Sequence, residues 1–190
     1  MRLFPFLTAL FCVLATPAFA HLAGSTGSFA AGFAHPFGGA DHLAAIMLAG
    51  LWSVLAGGTA TIAWPVTFVA AMLGGFAAAS AGLQIGSVEE IVGLSVILLG
   101  AFTAFELRLP VMPGTAVIGL FAFFHGHAHG MEAMPMLVPY AAGFTMATIV
   151  LLAVGMVAAV WAKGSAGRLL VRAAGGSAAL AGVLLLRGVS

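Results

Sequence analysis

Two stretches of the chain concentrate side chains able to hold a cation. The second in chain order is His125-Gly126-His127-Ala128-His129-Gly130-Met131-Glu132. On a helix, His125 and His129 lie four apart on one face. Glu132, three beyond His129 and seven beyond His125, extends that stripe. Two imidazoles and a carboxylate on one stripe suit a divalent metal, since imidazole favours Ni, Cu, Zn and related ions. His127 points elsewhere, to a second site or to an outer hydrogen bond. The other stretch is His35-Pro36-Phe37-Gly38-Gly39-Ala40-Asp41-His42. Pro36, Gly38 and Gly39 do not suit a continuous helix, so the chain is expected to unwind between His35 and Asp41. Asp41 and His42 then stand at a helix start, where Asp is also a common N-cap. Broken helices of this kind build ion sites in transporters.

The composition dictates what must position these groups. Of 190 residues, 63% are hydrophobic and 6% charged, with a mean hydropathy of +1.20. Soluble domains carry roughly 25% charged residues, so a soluble enzyme is excluded. A net charge of +1 offers no basic patch, which argues against nucleic acid. A bilayer core needs about 20 apolar residues per helix. Gly, Pro and charged positions divide the chain into six such stretches, near 29–55, 62–83, 89–107, 115–130, 136–162 and 169–186. The expected fold is an all-α integral membrane protein of six transmembrane helices, the first broken near Pro36–Gly39. Gly74, Gly82, Gly175 and Gly182 are read as close helix packing. Ahead of these spans, Arg2, an apolar run and Ala18-Phe19-Ala20 read as a signal peptide over residues 1–20, cut before His21. That leaves 21–190 as one transporter-like domain. It also removes Cys12, the single cysteine, so disulfides and thiolate metal sites are excluded.

Charge sets the orientation. Cleavage puts the mature amino terminus outside the cytoplasm, and six spans return the carboxyl terminus there. The inward loops then carry Arg108, Lys163, Arg168 and Arg172, as positive-inside insertion requires. Arg187, Glu89, Glu90 and Glu132 lie outside, and both histidine stretches fall in the outer half of the membrane. Ionisable groups at that depth cost about 2.5–3.5 kcal/mol each and usually mark a function. His21, through its amine and imidazole, and Glu89, opening span three, are additional candidate contacts beside His127. Met47, Met131, Met134 and Met136 are read as packing rather than soft-ion ligands.

The segment HPFGGADH fits H-x5-D-H, and FHGHAHGME fits F-H-G-x-A-H-G-x-E. Together with the six spans and SVEEIVGLSVILLG at the start of span three, they resemble the HupE/UreJ family of nickel permeases associated with hydrogenase and urease maturation. The similarity covers nearly the whole mature chain. It implies Ni2+ transport across a bacterial inner membrane rather than enzymatic activity, with the ion as cargo and no prosthetic group. It implies that His35, Asp41 and His42 are essential, and that His125, His129 and Glu132 are ligands or line the pathway. Co2+, Cu2+ or Zn2+ are alternative cargoes. From the residues themselves two other readings stay open: an intramembrane metal-dependent hydrolase using the same His/Asp cluster, and a haem-b protein with His42 and His129 as axial ligands. HExxH and G-x-S-x-G motifs are absent, as is a phosphate-binding loop.

Overall fold

The computed structural model describes residues 27–132, 137–162 and 164–189. The signal-peptide segment, His21, Met134, Met136 and Lys163 lie outside the described residues, as do the side chains of Met131 and Glu132. The described residues form seven helices: α1 (Phe29–Gly38), α2 (Ala40–Ala56), α3 (Ala60–Ser80), α4 (Val88–Ala104), α5 (Val111–Glu132), α6 (Leu137–Trp161) and α7 (Gly164–Val189). Helices α3, α5, α6 and α7 are each long and apolar enough to cross a membrane, and α1 with α2 qualifies as a bent pair. The protein is a multi-pass membrane protein. Helix α4, with 17 residues, is slightly shorter than a full span.

The bend between α1 and α2 is 87°, and it is tighter than the sequence predicts. The helix runs through Pro36 to Gly38, and only Gly39 leaves helical geometry, with φ −105° and ψ 117°. Pro36 lacks a backbone N–H, so α1 forgoes one helical hydrogen bond, that to the Gly32 carbonyl, and still continues to Gly38. The other end of α1 is held by Ser28, whose Oγ accepts from the Ala31 N–H at 3.1 Å. Asp41 is not an N-cap; that position belongs to Gly39, and Asp41 sits in the first turn of α2.

Helix α2 lies at the centre, against α3, α4 and α6, while α5 packs on α3 and α4, α1 on α6, and α7 on α4. Glycines permit the closest crossings. A Cβ on Gly75 would overlap the Phe123 carbonyl, and one on Gly126 would overlap the Met72 carbonyl, so α3 and α5 meet backbone to backbone. Gly32 and Gly143 join α1 to α6 in the same way. Of the four glycines assigned to packing from sequence, Gly175 and Gly182 do pack, against α4. Gly74 faces open space, and Gly82, at φ +93°, is needed for the turn that ends α3.

Candidate metal centre

The two histidine stretches, over 80 residues apart in sequence, meet at one end of the bundle. The bend at Gly39 swings the last turn of α1, with His35, over the first turn of α2, with Asp41 and His42. The carboxyl-terminal half of α5 brings His125 and His129 alongside. The His129 ring centre lies 4.6 Å from that of His35 and 4.7 Å from that of His42. His42 is in turn 4.9 Å from His125 and 6.2 Å from His35. Four imidazoles from three helices thus form one cluster. His42, His125 and His129 are buried, while His35 and Asp41 are half-buried.

The hydrogen bonds in this cluster are few and directional. Asp41 Oδ1 accepts from the His42 backbone N–H at 2.8 Å and lies 3.0 Å from His42 Nδ1. An ionised carboxylate can only accept, so Nδ1 carries the proton and Nε2 keeps its lone pair. This is the carboxylate–imidazole arrangement that orients histidine ligands. Among the described residues, His42 Nε2, His125 Nδ1 and both ring nitrogens of His129 have no hydrogen-bond partner. A buried polar atom left unpaired costs about 1–3 kcal/mol. The rings stand mostly edge to face, and among the described residues no three His, Asp or Glu side chains are arranged as a ready ligand set around one point.

Aromatic residues frame the cluster. Phe144 lies 4.9 Å from His129, Tyr140 5.9 Å from His35 and Phe68 6.1 Å from His125. Beyond them, Met72 is fully buried and its sulfur accepts from Thr148 Oγ1 at 3.4 Å. The sequence reading missed Phe68, Tyr140, Phe144 and also Ser95, which lies 2.9 Å from His125 Nε2. Ser95 could have been found, because Val88, Val92, Ser95 and Leu99 follow helical spacing and form the buried stripe of α4.

Other candidates stand apart. His127 is buried; it donates from Nε2 to the Leu83 carbonyl at 2.8 Å, its Nδ1 has no hydrogen-bond partner among the described residues, and its ring lies beside Phe123 rather than another imidazole. The Nε2 bond ties α5 to the α3–α4 turn. Glu89 and Glu90 are exposed in the first turn of α4, where the helix dipole favours them. Glu132 belongs to the last turn of α5, and its side chain lies outside the described residues.

The fold and this cluster define the class: a multi-pass helical membrane protein with a buried histidine centre beside a carboxylate. The family model described as HupE / UreJ protein matches residues 9–185. The chain is also 39% identical over 186 residues to Protein HupE of Rhizobium leguminosarum bv. viciae, covering 96% of this chain and 97% of that protein. The chain belongs to the HupE / UreJ family. No solved structure matches it.

Proposed function

We propose that the protein is a secondary permease for divalent transition-metal cations, Ni2+ foremost, feeding urease or hydrogenase maturation in the cytoplasm. The observation that carries this reading is the convergence of His35, His42, His125 and His129 beside Asp41, where buried ring nitrogens of His42, His125 and His129 lack partners among the described residues. Neutral imidazoles replace part of the ion's hydration shell, and Asp41 supplies the negative charge that offsets dehydration of a 2+ ion. Glu132, three residues beyond His129, extends the pathway, with His21 and Glu89 as outer capture points. The site is that of a carrier rather than an enzyme.

In this reading residues 1–20 are a signal peptide, 21–190 form the transporter domain of a bacterial inner-membrane protein, and both termini are extracytoplasmic. An inside-negative potential supplies about 2.3 kcal/mol per charge per 100 mV. A divalent ion gains twice that, sufficient to drive uptake without ATP. The test is uptake into liposomes bearing the purified protein and an imposed inside-negative potential, with Ni2+, Co2+, Cu2+ and Zn2+ compared. Saturable Ni2+ entry above that of empty liposomes is expected. Equal entry with and without protein, for every ion, overturns the reading.

A further inference from the structure

We infer that Ser95 is a positioning residue that fixes His125 in its Nε2–H tautomer and so makes Nδ1, not Nε2, the nitrogen His125 offers to a metal. This deepens the permease reading and rests on it for the identity of the ligand. The argument is one of proton bookkeeping. Ser95 is fully buried, and its Oγ lies 2.6 Å from the Val92 carbonyl one turn back in α4. A carbonyl only accepts, so the single hydroxyl proton of Ser95 is committed to Val92. The same Oγ lies 2.9 Å from His125 Nε2. With its proton spent, the oxygen can only accept there, and Nε2 must donate. A neutral imidazole carries one N–H, so the lone pair falls on Nδ1. That nitrogen is buried and without a partner among the described residues.

His42 shows the complementary arrangement. Asp41 takes its Nδ1–H, which leaves the lone pair on Nε2. Two adjacent rings, 4.9 Å apart, thus present opposite nitrogens, each set by a partner on its far side. The partners differ in kind: a charged carboxylate from the same helix for His42, and a neutral hydroxyl from α4 for His125. Ser95 also ties α5 to α4 at the level of the cluster, so the orientation of the His125 ring depends on a helix that contributes none of the four clustered imidazoles. Loss of such an outer partner typically costs about 10–100-fold in metal affinity or activity.

The tautomer is measurable without any transport. Ring nitrogen and carbon NMR of histidine-labelled, metal-free protein distinguishes Nε2–H from Nδ1–H, with the His125 signals assigned by their loss in His125→Gln. Wild-type protein should show Nε2–H at His125, and Ser95→Ala should shift it toward a mixture. A Nδ1–H ring in the wild type overturns the inference. In liposomes, Ser95→Ala should raise the half-saturating Ni2+ concentration at least tenfold with a smaller change in maximal rate, and Ser95→Thr should restore it, since Thr Oγ1 can make the same backbone bond. Unchanged half-saturation in Ser95→Ala also overturns it. Failure of the wild type to move any ion counts against the permease reading, whereas the NMR result decides the tautomer on its own.

Discussion

The bundle holds nitrogen-bearing aromatic rings at both ends and treats them in opposite ways. At one end Trp52 and Trp64 are fully buried with ring centres 4.3 Å apart and planes tilted by 40°, and Phe102 lies 5.0 Å from Trp52. Each indole N–H reaches a backbone carbonyl: Trp52 to Leu107 in the α4–α5 connection at 2.7 Å, and Trp64 to Val111 at the start of α5 at 3.1 Å. Arg172 Nε donates to Ala104 at the same end, where α4 terminates. Both tryptophans are therefore packed for area and paired for polarity, which is how a scaffold treats an amphipathic ring. At the other end the imidazoles are as deeply buried, yet His129 has neither nitrogen paired among the described residues. The indoles give their only ring donors to holding helices together. The clustered imidazoles of His42, His125 and His129 each keep at least one buried nitrogen unpaired among the described residues, at a cost in stability that a structural role does not explain.

Exchanging one kind of perturbation for the other should break this contrast if it is wrong. The largest effect is expected at the tryptophan end. Trp64→Ala removes a fully buried ring that also packs against Gly114, and should cost about 3–5 kcal/mol of stability. Thermal unfolding in detergent reads the loss, while Ni2+ uptake per folded molecule should remain near the wild-type value. If uptake collapses with stability intact, the tryptophan end belongs to the transport machinery.

Asp41→Asn should do the reverse. The substitution keeps the size of the side chain but removes the charge and weakens the partner of His42 Nδ1. Because Gly39 rather than Asp41 occupies the N-cap position, helix α2 loses no cap. Uptake should fall about 10–100-fold, with little change in melting temperature. Normal uptake at matched expression would reassign Asp41 to structure.

Much of this contrast is written in the sequence, but unevenly. The apolar stretches overlap each helix of the described residues, although α4 is shorter than a full span and the first stretch is a bent pair. The break in the first span is announced by Gly38-Gly39, and the structure confines it to Gly39. The ligand-type residues are legible by chemistry, since His and Asp are expensive inside a bilayer. Their partners are less so. Ser95 and Tyr140 are ordinary residues in apolar helices, and they acquire roles only when α4 and α6 come to lie beside α5 and α1. The division between Gly175, which packs, and Gly74, which does not, is likewise a property of which face a neighbour covers.

The smallest effect is expected at His127, and it sharpens the comparison because this histidine keeps one buried nitrogen unpaired among the described residues, as His125 does, yet points away from the cluster. It sits between two members of the cluster in sequence, so a reading by spacing alone would include it. On an α-helix its side chain points about 160° away from each of His125 and His129, and its Nε2 donates to the Leu83 carbonyl in the α3–α4 turn. His127→Ala therefore removes one hydrogen bond to the α3–α4 turn. Leu83 is 50% exposed, so water can reach the turn and take up part of the released carbonyl's bonding. The stability cost should then be about 1 kcal/mol, near the middle of the range for a single hydrogen bond. Half-saturation for Ni2+ should stay within about twofold of wild type, well short of the 10–100-fold expected when a partner of the metal-binding rings is lost. A tenfold change in His127→Ala, with the melting temperature unmoved, would show that His127 acts in the pathway although it points away from the cluster.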